Sequence, residues 1–117
     1  MISNKYSQTN ESFEFVVNKQ QVNKKKILLT SILYDKIAYS ALQSVNIYRD
    51  LLVSNSESIE LNFIKNAFLD DQLIVQNNIQ TLSNSELALQ ITVIKKKRNH
   101  HDIICKAVFW YQFKKAS

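Results

Sequence analysis

Two kinds of hydrophobic periodicity divide the chain. Residues 13–17 alternate with a period of two, which predicts a first strand with one buried face. From about residue 24 to residue 52 the pattern becomes helical, and no glycine or proline interrupts it. Apolar residues occupy almost the whole circumference of this segment between residues 27 and 42, and Asn23 is its predicted N-cap. The pattern therefore predicts a strand followed by a long helix that other structure wraps.

Four more segments alternate with a period of two, and each predicts a strand. They are residues 59–63, 73–79, 87–93 and 103–113, and the turns between them are rich in Asn, Asp and Ser. One face of the last segment carries Ile103, Cys105, Ala107, Phe109, Tyr111 and Phe113, whereas Ile104 falls on the opposite, half-polar face. The chain thus predicts a single α+β domain of order β-α-β-β-β-β over residues 12–117. Residues 1–11 are polar and predict a flexible N-terminus.

Two architectures have this order of elements. In the hotdog fold a curved antiparallel five-stranded sheet surrounds one long central helix, whereas in the cystatin-like fold the helix keeps a polar outer face. The nearly continuous apolar circumference of the predicted helix favours the hotdog fold, and the cystatin-like fold is the alternative.

One carboxylate interrupts the apolar helix. Asp35 is the only acidic residue between Glu14 and Asp50, and helical spacing places it on a largely apolar face with Ser31 and Tyr39. A carboxylate in a poorly hydrated site is costly unless it is paired, so the position is a candidate for function. The alternative is that the buried stripe is shifted by one residue and that Asp35 lies at its edge, hydrogen-bonded to Ser31 or Tyr39.

The composition excludes several kinds of site. The chain has no glycine and no proline, so it contains no Walker-type phosphate loop, no GxGxxG nucleotide motif and no GxSxG nucleophile elbow. Its single cysteine, Cys105, cannot form an internal disulfide, and residues 1–11 lack an apolar leader, so a cytoplasmic location is predicted. No apolar run is long enough for a membrane span. His100 and His101 are adjacent and point apart on a strand, so no metal site and no cofactor are predicted.

The net charge of +5 is concentrated in two basic clusters, residues 24–26 and 95–98. Polyanions are conceivable partners for such clusters. No aromatic residues interleave with them as base-stacking platforms, however, so a solvated helix start and a solvated hairpin tip are the better interpretation, and nucleic-acid binding is not favoured.

Three segments carry a resemblance to a known family. VNKKKILLTSILYDKIAYSA (residues 22–41) resembles the helix of hotdog thioesterases of the phenylacetyl-CoA and hydroxybenzoyl-CoA thioesterase superfamily. SIELNFIKNAFLDDQLIVQNNIQTL (residues 58–82) and CKAVFWYQF (residues 105–113) are similar to later strands of that family. The likeness is one of apolar spacing. It departs from the family at the start of the helix, where Ile27 and Leu28 stand in place of a Gly-Gly pair.

The resemblance implies a function and a set of site residues. Asp35 matches the family's catalytic carboxylate and would act as general base or nucleophile on an acyl thioester, with Ser31 and Tyr39 orienting it or the water. Asn23, Lys24, Lys25 and Lys26 would bind the phosphates of coenzyme A or of an acyl-carrier-protein arm. Sites in this family form between subunits, so the resemblance implies a homodimer or homotetramer. The missing glycines favour an alternative, a non-catalytic hotdog protein that binds an acyl chain or a carrier partner as a subunit of a biosynthetic pathway.

Overall fold

A five-stranded antiparallel sheet curves around one long helix in the computed structural model, which describes residues 11–115. The elements are β1 (Glu11–Val16), α1 (Thr30–Tyr48), β2 (Ser58–Phe63), β3 (Gln72–Leu82), β4 (Glu86–Lys96) and β5 (His101–Gln112), with short 3-10 turns at Lys19–Gln21 and Arg49–Leu51. The strand order across the sheet is β1-β3-β4-β5-β2. The predicted order of elements and the hotdog arrangement are confirmed. The predicted flexible N-terminus lies outside the described residues except for Glu11, with which β1 begins.

The inner face of the sheet packs against one stripe of α1. The buried stripe of α1 comprises Leu33, Ile37, Ser40, Ala41, Ser44 and Tyr48. The sheet contributes Leu73, Val75, Leu87, Leu89, Ile91, Val93, Cys105, Ala107 and Phe109, all at most 2% exposed. These are the inward faces that the alternation in β3, β4 and β5 predicts.

The start of β5 departs from the predicted alternation. Cys105 pairs with Val93 and Ile103 pairs with Ile94, which leaves one extra residue on β5. That residue is Ile104, predicted for the half-polar face but only 1% exposed. A bulge of this kind inserts a residue into one strand and re-aims the side chains beside it, which a strict period of two cannot anticipate.

The helix starts later than predicted, and Asn23 is not its N-cap. The N-cap is Leu29, whose side chain makes no capping hydrogen bond. Asn23 Oδ1 instead accepts hydrogen bonds from the backbone N–H groups of Lys25 (2.9 Å) and Ile27 (3.0 Å), and Lys26 has a left-handed φ of 66°. Asparagine side chains offer the backbone this alternative to a helix. The segment between Val22 and Leu28, which form an isolated bridge, is therefore a turn carrying three lysines, named here the lysine turn.

The outer face of α1 is not wrapped within a single chain, so that expectation is wrong for residues 11–115. Tyr39, Leu42 and Ile47 are 57%, 46% and 55% exposed. The helix also ends at Tyr48, before the predicted Leu52. No helix within the described part of the chain combines the length and the hydropathy that crossing a bilayer requires.

Candidate functional site

Asp35 lies on the outer face of α1, just over one turn after the helix begins. It is exposed, and within residues 11–115 its carboxylate has no hydrogen-bond or ion-pair partner. At about 100° per residue, Asp35 lies roughly opposite to the fully buried Ile37, two residues away. The expectation that the apolar stripe of the single chain buries Asp35 is therefore wrong. The alternative, in which the stripe shifts, describes the helix better, although Asp35 bonds to neither Ser31 nor Tyr39.

Beside Asp35 runs a groove between α1 and β1, named here the Asp35 groove. Its volume is about 450 Å³, and its lining comprises Phe13, Gln21, Ile32, Asp35, Lys36 and Tyr39. The ring of Tyr39 meets that of Phe13 edge to face at 5.8 Å. Lys36 Nζ lies 4.7 Å from the centre of the Phe15 ring, so a cation–π contact rather than an ion pair with a carboxylate holds this ammonium group. The groove thus combines an apolar wall with one carboxylate and one ammonium group.

The three predicted residues around Asp35 are only partly brought together. Asp35 and Tyr39 line the same groove, whereas Ser31 is exposed one turn earlier and is not part of the lining. No hydrogen bond joins any pair of the three among the described residues. Any orienting role for Ser31 or Tyr39 therefore requires a bound substrate or water between them and Asp35.

The lysine turn lies next to one end of the groove. Leu29 N–H donates to the carbonyl of Gln21 at 2.8 Å, which joins the residues that flank the turn. Gln21 also lines the groove, so both ends of the turn lie beside it. Leu69 N–H donates to the Lys26 carbonyl at 2.9 Å and ties the turn to the chain ahead of β3. The three lysines of the turn are exposed and have no ion-pair partner within residues 11–115. Asn23 stabilises the turn through its side-chain oxygen and its backbone N–H, which leaves only the side-chain NH₂ group for a ligand.

The first backbone amides of α1 follow the lysine turn closely in the chain. Ile32 N–H and Leu33 N–H both donate to the Leu29 carbonyl, each at 3.1 Å. No partner is recorded among the described residues for the amides of Thr30 and Ser31, as expected for a helix start without a side-chain cap. Such amides lie at the positive end of the helix dipole and can donate to a polarised carbonyl oxygen.

A second pocket, on the other flank of α1, was not anticipated from the sequence and is named here the tyrosine pocket. Its volume is about 240 Å³, and its lining comprises Tyr34, Ala38, Ala41, Leu42, Val45, Glu57, Phe109 and Tyr111. The Tyr111 hydroxyl donates to Glu57 Oε2 at 2.5 Å. Burial, together with the hydrogen bond to anionic Glu57, raises the pKa of Tyr111 far above its ordinary value. The signal in the sequence was a tyrosine on the inward face of the last strand, but its partner is 54 residues away.

Cys105 is a core residue, as predicted. It is 0% exposed, and burial raises the pKa of its thiol to about 11, which keeps the nucleophilic thiolate form rare. Within residues 11–115 no three His, Cys, Asp or Glu side chains are grouped in a way that could hold a metal ion. His100 Nε2 lies 3.5 Å from Asp102 Oδ1, and Asp102 also pairs with Lys97 at 2.6 Å.

No protein-family model and no curated protein sequence matches the chain, but solved structures do. An acyl-CoA hydrolase from Staphylococcus aureus, in complex with butyryl coenzyme A, coenzyme A and coenzyme A disulfide, has a TM-score of 0.77 at 15% identity, covering 92% of this chain and 67% of that one. A 4-hydroxybenzoyl-CoA thioesterase mutant complexed with 4-hydroxybenzoyl-CoA gives 0.67 at 14% identity, covering 89% and 83%.

A hypothetical thioesterase from Streptococcus pneumoniae with coenzyme A gives a TM-score of 0.70 at 15% identity, covering 89% of this chain and 80% of that one. At such identities the likeness establishes the fold. This chain is therefore a hotdog domain whose structural neighbours include acyl-CoA hydrolases and thioesterases.

Proposed function

We propose that this protein hydrolyses an acyl thioester of coenzyme A or of an acyl carrier protein, with Asp35 as general base or nucleophile. The observation that carries the proposal is the position of Asp35. It lines a partly apolar groove just over one helical turn from the amides at the start of α1, which have no partner among residues 11–115. The hotdog fold, which this chain shares with CoA-bound thioesterases, supports the same reaction class.

The reaction needs a proton acceptor and a donor to the carbonyl oxygen. As general base, Asp35 takes a proton from water while the water oxygen attacks the thioester carbon. The amides of Thr30 and Ser31, at the positive helix end, stabilise the negative charge that develops on the carbonyl oxygen. When the tetrahedral intermediate collapses, the carbon–sulfur bond breaks and the proton on Asp35 passes to the leaving thiolate. In the nucleophilic variant, the Asp35 carboxylate attacks the thioester carbon and expels the thiolate, which leaves a mixed anhydride. Water then cleaves the anhydride, which releases the acid and regenerates the Asp35 carboxylate, and a proton from the water passes to the thiolate.

The lysine turn supplies the charge that a phosphorylated substrate needs. Lys24, Lys25 and Lys26 are exposed, unpaired within the described residues and adjacent to the groove through the Leu29–Gln21 hydrogen bond. Coenzyme A and the carrier-protein arm both carry phosphates that such ammonium groups attract. The phosphates therefore do not distinguish coenzyme A from the carrier-protein arm, and selectivity between them depends on contacts with the rest of the substrate.

A second copy of the chain belongs to the proposal. Asp35 is exposed to solvent in one chain, whereas a general base acts best in a site from which bulk water is excluded. Exposed Tyr39 and Leu42 lie about one and two helical turns beyond Asp35 near the same face, and β2 has an unpaired edge in the strand order. A homodimer or homotetramer that covers this surface would enclose the groove. We further propose a cytoplasmic location, which suits the buried free thiol of Cys105.

One observation favours a second candidate, a non-catalytic hotdog protein that binds an acyl chain or a carrier partner as a pathway subunit. Side chains occupy the region where related enzymes have a Gly-Gly pair, and Ile27 and Leu28 are fixed there by bridges to Phe68 and Val22. These side chains would crowd an acyl group that approaches the helix start. Binding would then persist without turnover.

The test is release of free thiol from a panel of acyl-CoAs of different chain lengths. We expect Asp35→Asn to lower kcat by roughly 10²- to 10⁴-fold with little change in KM, because it removes the proton acceptor but keeps the shape. Asp50→Asn, at an exposed carboxylate beyond the end of α1, is the matched control and should retain wild-type turnover. Unchanged kcat in Asp35→Asn removes Asp35 from the mechanism. Binding of acyl-CoA by the wild type without thiol release supports the second candidate.

Sedimentation velocity tests the subunit arrangement separately. A species of twice or four times the chain mass is expected. A monomer at micromolar concentration contradicts the interfacial site, even if thiol release is observed.

A further inference from the structure

The tyrosine pocket has a composition that the hydrolysis of thioesters does not use. It lies on the opposite flank of α1 from the Asp35 groove, between the helix and the end of β5, and the two linings share no residue. Aliphatic side chains of α1 form one wall, and the rings of Tyr34, Phe109 and Tyr111 contribute its aromatic surface. Glu57 is the only residue of the lining that carries a formal charge. A single carboxylate therefore borders an otherwise uncharged, aromatic pocket.

Hydrogen bonds fix the position of Glu57. Ser56, the residue before it, donates from its hydroxyl to the Val53 carbonyl at 2.8 Å and accepts from Gln112 N–H at 3.1 Å. Asn55 supplies the left-handed φ of 60° that the turn requires. Because β2 starts one residue later, with Ser58 opposite Trp110, Glu57 is held across from Tyr111. The carboxylate is thus pre-organised before any ligand arrives.

The charge of Glu57 is not balanced within the described residues. Tyr111 donates one hydrogen bond to Oε2 but remains neutral, because deprotonating a buried phenol beside a carboxylate is unfavourable. No lysine, arginine or histidine between residues 11 and 115 forms an ion pair with Glu57, and Oε1 has no recorded partner there. An ionised carboxylate accepts hydrogen bonds at both oxygens, so Oε1 is available to a donor in the pocket.

We propose that the tyrosine pocket binds a small organic ammonium ion, with the ammonium group on Glu57 and the apolar part of the ligand against the rings of Tyr34, Phe109 and Tyr111. Carboxylates form their strongest hydrogen bonds with charged donors. The faces of tyrosine and phenylalanine rings also attract cations, which a neutral or anionic ligand cannot exploit. Aromatic rings beside one carboxylate that forms no ion pair within residues 11–115 therefore favour an amine over an acyl chain. Thioester hydrolysis at Asp35 does not use this ligand. Leu42 of the lining also belongs to the outer surface that a second copy would cover, so the proposal requires the pocket to stay open beside that interface.

The volume limits the size of the ligand. A cavity of about 150 Å³ accommodates benzene, so a pocket of about 240 Å³ holds roughly ten non-hydrogen atoms. Phenylethylammonium, with an aromatic ring two carbons from its charge, is a probe of this size. Because Glu57 is exposed and water screens its charge, we expect a dissociation constant on the order of 0.1–1 mM for so small a ligand.

The experiment compares two isosteric probes by nuclear magnetic resonance titration of the isotope-labelled full chain. 2-Phenylethylammonium and 2-phenylethanol have the same shape but differ in charge. We expect the ammonium ion to bind at least about tenfold more tightly than the alcohol, with shift changes at Tyr34 and Tyr111. Equal affinity for the two probes identifies a neutral apolar pocket and overturns the proposal. So does the absence of binding by the ammonium ion at 10 mM, or shift changes confined to other parts of the chain.

Two variants locate the interaction. Glu57→Gln keeps an acceptor for the Tyr111 hydroxyl but removes the charge, so the variant should fold and should lose the preference for the ammonium ion. Glu60→Gln removes an equal charge from an exposed position on β2 that does not line the pocket, and it should keep that preference. Retention of the preference in Glu57→Gln, or its equal loss in both variants, overturns the assignment. Unchanged thiol release in Glu57→Gln would show that the two sites are separate.

Discussion

Two leucines of α1 form a matched test of which helix face is the core. Leu33 is 6% exposed in the stripe that meets the sheet, whereas Leu42 is 46% exposed on the outer surface near the face of Asp35. Substitution of each by alanine removes the same atoms from the same helix. The two variants therefore differ only in what surrounds the side chain that is removed.

The expected losses differ by about 2 kcal/mol or more. Leu33→Ala leaves a cavity in a close-packed core, which costs roughly 3–4 kcal/mol in the free energy of unfolding. Leu42→Ala removes a side chain that is already half in water and leaves no closed cavity, so its cost is about 1 kcal/mol or less. For a chain of this length, the larger loss lowers Tm by roughly 10–16 °C.

Urea denaturation followed by far-ultraviolet circular dichroism measures both losses, at two protein concentrations. Equal losses, or a larger loss in Leu42→Ala at low concentration, would show that the stripe containing Asp35 is the core of the single chain and would refute the burial argument. If a second copy covers the outer face of α1, the Leu42→Ala loss grows with protein concentration while the Leu33→Ala loss does not.

Three further predictions concern individual groups. Burial raises the pKa of the Cys105 thiol from 9.0 to about 11, so the folded state holds this proton more tightly than the unfolded state does. The resulting stability is fully present below pH 9 and is lost as the pH rises through 11. A component of roughly 2–3 kcal/mol in the free energy of unfolding should therefore disappear over that range in the wild type and be absent from Cys105→Ala. The hydrogen bond from Lys97 lowers the pKa of Asp102, so the stability difference between wild type and Asp102→Asn should persist at neutral pH and vanish as the pH falls below 3.8, measured by urea titration. Asn23→Ala removes two hydrogen bonds from the lysine turn and should cost about 1–2 kcal/mol without lowering the helix content seen by circular dichroism; a loss of helix would restore Asn23 as a cap.

The strands could be predicted from the sequence because their signal is local. In β4 the inward positions Leu87, Leu89, Ile91 and Val93 follow a strict period of two and are all 0% exposed. The turns could also be predicted, because Asn55 and Asp70 occupy the left-handed conformations that asparagine and aspartate tolerate. The alternation failed at the start of β5, where a bulge adds one residue to the strand and places Ile104 in the core. The composition of the segment does not reveal such a bulge.

The start of the helix and the tyrosine pocket could not be predicted for two different reasons. At Asn23 a side-chain hydrogen-bond pattern competes with the helix over a few residues, and hydrophobic periodicity does not register that competition. Glu57 and Tyr111 meet only because β2 pairs with β5 in one particular register. A contact across 54 residues depends on that register, which the local pattern does not contain.

The environment of Asp35 depends on a choice that the helix sequence leaves open. Residues 27–42 are apolar almost all round, so more than one stripe could meet the sheet, and the sheet takes the stripe centred on Ile37. The outer stripe then exposes Tyr39 and Leu42 beside the Asp35 carboxylate, which has no partner in the part of the chain that the structure describes. Helices that are apolar all round are buried on every side in stable proteins. We therefore expect a second copy to cover the outer stripe, and the hydration of Asp35, together with any catalysis by it, to be set by that assembly rather than by the fold of one chain.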